Sequence, residues 1–350
     1  MLSIIKHGII LSKTTQPFED HAVLNPGVIR NGAKILMFYR AVTAHNRSTI
    51  GFCTMSSPLV VQDRNSTALL SPEGDFESQG MEDPRVVCID STYYLSYTAY
   101  DGTNALGALA SSTDLVNWKR HGIMVPQITY EGFEVYHQGK NHLNEKYSRY
   151  NKLKNYDHSG THFPLVWDKN VVLFPRKING KFCFLHRIKP DIQIVQGVEN
   201  LLEISDEFWK GYFLDFERQI LMSPVYKHEV SYIGAGCPPI ETKDGWLLIY
   251  HAVHDTINGF VYSACAALLD LNSPEVELAR LPYPLFFPNT PWELSGEVNN
   301  VCFPTGALVE GDSLYIYYGA ADEQIAVASL SLSALLFKLS LHPSKSNFNE

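Results

Sequence analysis

The sequence has no apolar stretch long enough to cross a membrane, no Cys-x-x-Cys pair and no excess of positive charge. Its formal net charge is −9 over 350 residues, which argues against a nucleic-acid partner. The first residues lack the apolar core and cleavage site of a signal peptide, and no membrane-spanning segment is expected. The six cysteines are scattered in apolar segments, as is typical of free thiols in a reducing compartment. We therefore expect a cytoplasmic protein with no membrane partner.

One pattern recurs along the chain: a proline, a strand-like segment, a tight polar turn and an aromatic strand-like segment. The opening prolines are Pro26, Pro84, Pro175, Pro238 and Pro304. Three of the turns are typical of β-hairpins, namely Asn31-Gly32, Asn179-Gly180 and Asp244-Gly245. Further strand-like segments lie between the openings, for example at 48–53 and 106–111.

Five such repeats predict the fold. A four-stranded blade needs roughly 40–50 residues, or more with long loops, so five blades account for the chain. We predict an all-β protein, a five-bladed β-propeller, with one catalytic domain over 1–340 and a tail over 341–350. A β-sandwich would not explain five equivalent openings. The stretch 331–339 is predicted to be a closing strand or a short helix.

The second opening, Gly80-Met81-Glu82-Asp83-Pro84-Arg85, contains two acids and a base around a proline. An apolar run and a turn at Asp90-Ser91 follow, which predicts a β-hairpin. Proline disfavours the helical region for the residue before it, so we expect an extended Asp83. A carboxylate at the end of a strand beside an arginine suits acid chemistry. A structural Asp–Arg pair is the alternative.

Charged and polar residues recur at equivalent strand ends of the repeat. In a propeller the first strand of every blade lines the central channel, so equivalent ends meet at one mouth. The residues expected to converge there are Asn25, Arg40, Asp83, Lys169, Arg187, His251 and Asp322. Burying such groups without partners is costly, so they indicate either structural ion pairs or a functional site.

An insertion interrupts the repeat between Ile128 and Trp167. It is rich in aromatic and basic residues and contains His137, His142, His158 and His162. The histidines form no compact ligand pattern, so we expect no metal site. A long segment of this kind in a compact domain usually carries function, and we expect a loop over the propeller mouth that stacks on sugars.

The repeated segments also carry a family resemblance. They are Asn25-Pro26 with Tyr39-Arg40-Ala41; Gly80 to Arg85; Leu173-Phe174-Pro175 with Lys177 to Lys181 and His186-Arg187; Gly236 to Ile240 with Gly245 to His251; and Phe303 to Gly306 with Tyr317 to Asp322. Jointly they resemble glycoside hydrolase family 130, the β-mannoside phosphorylases and β-mannosidases, over nearly the whole chain except the insertion. The resemblance implies a five-bladed propeller that phosphorolyses short β-1,2- or β-1,4-linked mannosides with inversion, releasing α-mannose 1-phosphate.

The resemblance also implies roles for single residues. Asp83 would be the general acid, its proton reaching the glycosidic oxygen through the 3-hydroxyl of the mannose. The implied mannose contacts are Asn25, Arg40, Asp322 and Glu293, and we add Arg187 as a substrate-binding residue. Lys169 and His251 would bind phosphate, together with an arginine for which Arg120 and Arg149 are the candidates. Inorganic phosphate is then a co-substrate, and no cofactor is expected.

The sequence departs from the family pattern in two places. Tyr232 stands where phosphorylases often have lysine, and Asn170 stands where aspartate is common. An inverting hydrolase needs a second carboxylate to activate water, and Glu229 is the candidate for that base. A phosphorylase needs cations instead, to gather an anionic nucleophile. The sequence thus leaves three functions open: a phosphorylase, an inverting β-mannosidase and a non-catalytic glycan-binding propeller. The oligomeric state also stays open, a homo-oligomer included.

Overall fold

The computed structural model describes residues 2–137, 145–147, 149 and 164–344. Its strands form five consecutive antiparallel blades, since the largest sheet divides in two at a single parallel bridge between Ser48 and Gly80. Blade 1 consists of β2 (Ala22–Asn31), β3 (Lys34–Val42), β4 (Ser48–Ser57) and β5 (Val60–Arg64). Blade 2 consists of β6 (Gly80–Ile89), β7 (Thr92–Tyr100), β8 (Ala105–Ser112) and β9 (Lys119–Ile123).

The other three blades repeat this order. Blade 3 consists of β10 (Lys169–Leu173), β11 (Phe182–Arg187), β12 (Ile192–Val198) and β13 (Ile220–Met222). Blade 4 consists of β14 (Tyr232–Ala235), β15 (Ile240–Thr242), β16 (Gly245–Thr256), β17 (Gly259–Leu269) and β18 (Glu277–Arg280). Blade 5 consists of β19 (Cys302–Glu310), β20 (Ser313–Ala320), β21 (Gln324–Ser331) and the N-terminal β1 (Ile5–Leu11).

The blades close into a ring around their first strands. Strand β2 contacts both β6 and β19, and β10 contacts both β6 and β14. This confirms the predicted five-bladed propeller. The turn predicted at Asp90-Ser91 joins β6 to β7, and both residues have positive φ, 49° and 63°, as a tight hairpin turn requires.

Blade 5 is built from both parts of the chain. Strand β1 pairs antiparallel with β21, so an N-terminal strand completes the blade that begins at residue 302. The stretch 331–339, predicted as a closing strand or a helix, is helical. Helix α4 (Leu332–Ser340) begins where the side chain of Ser331 accepts a hydrogen bond from the backbone N–H of Ala334.

The remaining helices of the described residues lie in connections between strands, and two of them lie inside blade 3, between β12 and β13. They are α1 (Tyr130–His137), α2 (Asp206–Leu214), α3 (Pro291–Leu294) and the 3-10 helices Asp75–Glu77, Phe216–Gln219 and Lys227–Glu229. Among the described residues, no helix is long and apolar enough to span a membrane.

Two aromatic residues of the described part of the insertion, Phe133 and Tyr147, belong to the core. The ring centroid of Phe133 lies 5.7 Å from that of Phe213 and 5.3 Å from that of Phe216. The hydroxyl of Tyr147 donates to Asp191 Oδ2 over 2.6 Å, and both side chains are buried. Because burial of large rings is strongly favourable, Phe133 and Tyr147 pack inside and form no sugar-binding surface. The rest of the insertion, including His142, His158 and His162, lies outside the described residues.

Candidate active site

All five blades contribute to one cavity, of about 210 Å³, at one end of the propeller. Its wall consists of Asn25, Arg40, Asp83, Trp167, Lys169, Asn170, Arg187, Lys189, Tyr232, Tyr262, Val301, Phe303 and Asp322. Six of the seven residues expected to converge line this wall, and the seventh, His251, lies 3.2 Å from Arg187. The position of the cavity was therefore predictable from the repeat.

A β-bulge in the first strand of a blade aims polar side chains into the cavity. The register between β2 and β3 shifts after Leu24, and that between β6 and β7 shifts after Glu82. At these bulges Asn25 has φ 50° and Asp83 has φ 51°. The expectation of an extended Asp83 is therefore wrong, because the bulge imposes a left-handed conformation that Asn and Asp tolerate better than most residues.

Asp83 is a buried carboxylate surrounded by donors. Asn25 Nδ2 donates to its Oδ1 over 2.7 Å, and Arg40 Nη1 lies 3.8 Å from the same oxygen. Burial raises the pKa of Asp83, but the charges of Arg40, Lys169 and Arg85 and the hydrogen bond from Asn25 outweigh it, so the pKa is lowered. The carboxyl group of Asp83 is thus ionised at neutral pH.

Glu82 joins two of the cationic residues, and the sequence analysis gave it no role in the site. Its Oε1 lies 3.0 Å from Arg40 Nη2, and its Oε2 accepts from Lys169 Nζ over 3.0 Å. In the sequence, the only indication of this role is that Glu82 is a charged residue directly before Asp83. Because both cations share this one carboxylate, Glu82 holds Arg40 and Lys169 next to each other.

Asp322 lies in the tight turn between β20 and β21, where its φ is 53°. Burial raises its pKa to about 6, although the charge of Arg40 opposes the change, and the nearby Asp83 and Glu82 raise it as well. The cavity therefore contains two carboxyl groups with opposite pKa shifts, Asp83 ionised and Asp322 able to hold a proton near neutral pH.

Arg187 lines the cavity, and the fully buried His251 is its neighbour. Arg187 Nη1 lies 3.2 Å from His251 Nε2, and because a guanidinium can only donate, Nε2 accepts and the ring proton sits on Nδ1. Burial and then the charge of Arg187 hold the pKa of His251 well below its usual range, so the ring is neutral. Within the part of the chain that the structure describes, Arg187 Nε and His251 Nδ1 have no hydrogen-bond partner.

Two glycines make room for these side chains. A Cβ at Gly234 would lie 2.4 Å from His251 Cε1 and 2.9 Å from Asn170 Oδ1. A Cβ at Gly319 would lie 2.0 Å from Asn25 Oδ1. Neither distance is compatible with a side chain, so these positions hold glycine because a functional side chain passes directly over the backbone.

Arg120 and Arg149 are not at the cavity. Arg120 lies on β9 and forms an ion pair with the fully buried Glu77, and its Nη2 donates to the carbonyl oxygen of Ser71 over 2.6 Å. The phosphate-binding prediction for Arg120 is therefore wrong in position, because a buried carboxylate already occupies its guanidinium. Arg149 is exposed and does not line the cavity.

Glu293 supports blade 5 instead of contacting a substrate. Its Oε2 accepts from Lys6 Nζ over 2.7 Å and from the backbone N–H of Asn289 over 2.9 Å. Its Oε1 accepts from the hydroxyl of Tyr318 over 2.8 Å, and the side chain is fully buried. The carboxylate caps α3 and the residue does not line the cavity, so the expected substrate contact is corrected.

Glu229 also has a structural role, because its carboxylate is held by hydrogen bonds and an ion pair inside the protein. Its Oε2 accepts from the backbone N–H of Val225 over 2.7 Å, and its Oε1 accepts from the hydroxyl of Tyr250 over 2.6 Å. Arg280 Nη1 lies 3.4 Å from Oε2. The carboxylate is fully buried within a capping box and does not line the cavity, so the structure removes it as a candidate base for water.

Comparisons with known proteins agree with this architecture. The model of glycoside hydrolase family 130, described as β-1,4-mannooligosaccharide phosphorylase, matches residues 4–339. A 1,2-β-oligomannan phosphorylase from Thermoanaerobacter sp. (strain X514) is 31% identical over 340 residues, covering 94% of this chain and 96% of the relative. A β-1,2-mannobiose phosphorylase from the same organism is 33% identical over 339 residues, covering 91% of this chain and 93% of the relative.

A solved structure extends the agreement to the fold. The β-1,2-mannobiose phosphorylase from Listeria innocua, in complex with β-1,2-mannobiose, superposes with a TM-score of 0.73 at 22% identity. The superposition covers 97% of this chain and 100% of that one. With the family model matched over residues 4–339, the chain belongs to glycoside hydrolase family 130, a family of mannoside phosphorylases and glycoside hydrolases.

Proposed function

We propose that this enzyme phosphorolyses short β-1,2- or β-1,4-linked mannosides with inversion, releasing α-mannose 1-phosphate and a shortened saccharide. The relatives named above are phosphorylases of β-mannosides, which supports the reaction class. The observation that carries the proposal is that three basic side chains share one cavity with the ionised carboxylate of Asp83. Lys169, Arg187 and Lys189 line the same cavity as Asp83.

Phosphate fits that wall by charge and by hydrogen bonding. Arg187 Nε and His251 Nδ1 are buried and without partners among the described residues, and an unsatisfied buried donor is costly. An oxyanion would accept from both groups. Lys169 adds a point charge and Arg187 a planar fork, a combination suited to binding and orienting a dianion. Arg187 thus takes the place proposed for Arg120 or Arg149.

The opposite side of the cavity suits the mannose. Asn25, Arg40 and Asp322 surround Asp83 and present an amide, a guanidinium and a carboxyl group to sugar hydroxyls. Bound phosphate adds negative charge near Asp83 and so raises the pKa of its carboxyl, which favours the protonated acid only when the nucleophile is present. Asp83 then supplies the proton that the leaving oxygen needs, through the 3-hydroxyl of the mannose.

The reaction is a single displacement. A phosphate oxygen forms a bond to C1 of the mannosyl unit as the glycosidic C1–O bond breaks on the opposite face, which converts a β-linkage into an α-phosphate. The leaving oxygen takes the proton from the Asp83 route. No second carboxylate is required, and no metal or organic cofactor enters the balance.

One assay tests the proposal against a β-mannosidase and a glycan-binding protein. The enzyme is incubated with β-1,2- and β-1,4-mannobiose, with and without inorganic phosphate, and the products are identified by NMR. We expect α-mannose 1-phosphate, formed only with phosphate. Free mannose in phosphate-free buffer would establish a hydrolase, and binding without any product would establish a non-catalytic protein.

A further inference from the structure

Lys189 is a lysine of the cavity wall that belongs to none of the repeated positions. It lies two residues after β11 and lines the same cavity as Asp83 and Lys169. Its Nζ lies 3.8 Å from the centroid of the Tyr232 ring. The guanidinium carbon of Arg187 lies 5.2 Å from the centroid of the same ring. One aromatic ring therefore holds two cationic side chains at one wall.

The cations at this wall repel one another in the empty enzyme. Burial lowers the pKa of the Lys189 ammonium well below its ordinary value, and the charges of Arg187 and Lys169 lower it further. Contact with the face of Tyr232 offsets only part of this cost, because a cation–π contact is weaker than the hydration that an ammonium loses. An anion placed among the three side chains would attract each of them and so offset their mutual repulsion.

The ring of Tyr232 also gives the lysine a defined place. A lysine side chain is flexible, and its ammonium acts on phosphate as a compact charge with three donors. Tyr232 is buried, and it shares a hydrogen bond with the hydroxyl of Tyr262, which lines the cavity too. This bond fixes the phenol, and the face of its ring holds the Lys189 ammonium at the cavity wall.

We propose that Lys189 is a further phosphate-binding residue, whose ammonium donates to the phosphate that attacks the mannosyl carbon. The inference rests on the proposed phosphorolysis, because it names another ligand of the same nucleophile. A lysine with a purely structural role would change stability, or the KM values of both substrates together. A phosphate ligand changes the KM for phosphate selectively.

The test uses three variants. Lys189→Met removes the charge and keeps an unbranched stem, and Lys189→Arg restores a charge. Lys177→Met is the matched control, because Lys177 Nζ also lies over a ring, 4.7 Å from the centroid of Phe182, but outside the cavity. Initial rates with β-1,2-mannobiose are measured over a phosphate series, and inorganic phosphate is titrated calorimetrically into each protein.

We expect Lys189→Met to raise the KM and the Kd for phosphate by about 10–100-fold, the loss of one charge-assisted hydrogen bond. The KM for mannobiose should change by less than about twofold. Lys189→Arg should recover most of the phosphate affinity, and Lys177→Met should match the wild type. If the Met variant does not fold, Lys189→Gln goes through the same series.

Three results overturn the inference, and the first is distinguishable from the other two. Wild-type turnover that does not depend on phosphate removes the proposed function, and the role of Lys189 with it. Phosphate-dependent wild-type turnover with an unchanged phosphate KM in the uncharged variant removes the role of Lys189 alone. An equal rise in the KM values for phosphate and mannobiose that Lys189→Arg does not reverse also removes the role of Lys189. It would show that Lys189 stabilises the structure.

Discussion

Asn25 and Asp83 lie 58 residues apart, on adjacent blades, and share a 2.7 Å hydrogen bond from amide nitrogen to carboxylate oxygen. Both residues stand at bulges with φ close to 50°. The contact therefore depends on two local distortions of neighbouring strands. It orients the carboxylate of blade 2 with an amide of blade 1. The orientation of Asp83 therefore depends on how the two blades pack against each other.

Replacing Asp83 by asparagine should abolish turnover and leave the fold intact. The amide keeps the shape of the side chain but cannot deliver a proton, and loss of a general acid typically costs about 10²–10⁴-fold in rate. The measurement is kcat under saturating mannobiose and phosphate, with thermal unfolding as the fold check. Asp90→Asn is the control, since Asp90 is another aspartate with positive φ, in a turn of the same blade. Retention of more than about a tenth of the wild-type rate would remove Asp83 from the acid role.

Lys169→Ala and His251→Ala should raise the KM for phosphate far more than the KM for mannobiose, by about 10–100-fold for each lost contact. The effect of His251→Ala should not grow toward acid pH. Burial and the charge of Arg187 keep the pKa of the ring well below its usual value, so the imidazole stays neutral across the assay range.

The check is the ratio of phosphate KM values, His251→Ala over wild type, measured from about pH 5.5 to 8. A constant ratio supports a neutral donor. A ratio that rises steeply as the pH falls would mean that the imidazolium binds phosphate. Lys210→Ala, at an exposed position of α2, is the control for nonspecific loss of charge.

Arg120→Ala should destabilise the protein without changing phosphate recognition. It leaves the buried carboxylate of Glu77 without its ion-pair partner, and breaking a buried pair typically costs about 3–5 kcal/mol. Denaturant unfolding measures the loss, and the phosphate KM is determined below the unfolding temperature. Arg120→Lys keeps the charge and should lose less stability. A raised phosphate KM in either folded variant would return Arg120 to the phosphate site.

Asp322→Asn should be more stable than the wild type at neutral pH and less active. The folded pKa of Asp322, about 6, lies above its ordinary value of 3.8, so the folded state binds the proton more tightly than the unfolded chain. Stability from this group is present at low pH and is lost as the pH rises through that window. The gain of the variant should thus be absent near pH 4 and complete above about pH 6. Equal melting temperatures of the two proteins at pH 4 and pH 8 would contradict the buried, proton-binding state of Asp322.

The repeat predicted the propeller and most of the cavity wall because equivalent strand ends meet by symmetry. It could not predict the conformation of Asp83, because the rule for residues before proline is local and the bulge is imposed by pairing with β7. The charged residues Arg120, Glu229 and Glu293 were misassigned for another reason. Their partners, such as Glu77, Arg280 and Lys6, are distant in sequence. A charged residue in a sequence does not show whether the fold gives it an ion-pair partner.

Tyr232 illustrates how a departure from a family pattern can mislead. In the sequence it stands where a lysine is common, which argued for water as the nucleophile. In the structure its ring lies 3.8 Å from the ammonium of Lys189. A basic group is thus present at this wall, although it comes from another blade. The tyrosine at position 232 can therefore be interpreted only together with the residues that the fold places beside it.

The pairing of β1 with β21 has a consequence for biosynthesis. Asn25 and Asp83 leave the ribosome early, but Asp322 is in the turn that precedes β21, and the backbone N–H of Val23 donates to the carbonyl of Glu323 over 3.1 Å. Until blade 5 emerges, β1 has no strand to pair with and the cavity wall lacks Asp322. The ring of blades and the wall of the cavity are therefore completed by the same late part of the fold.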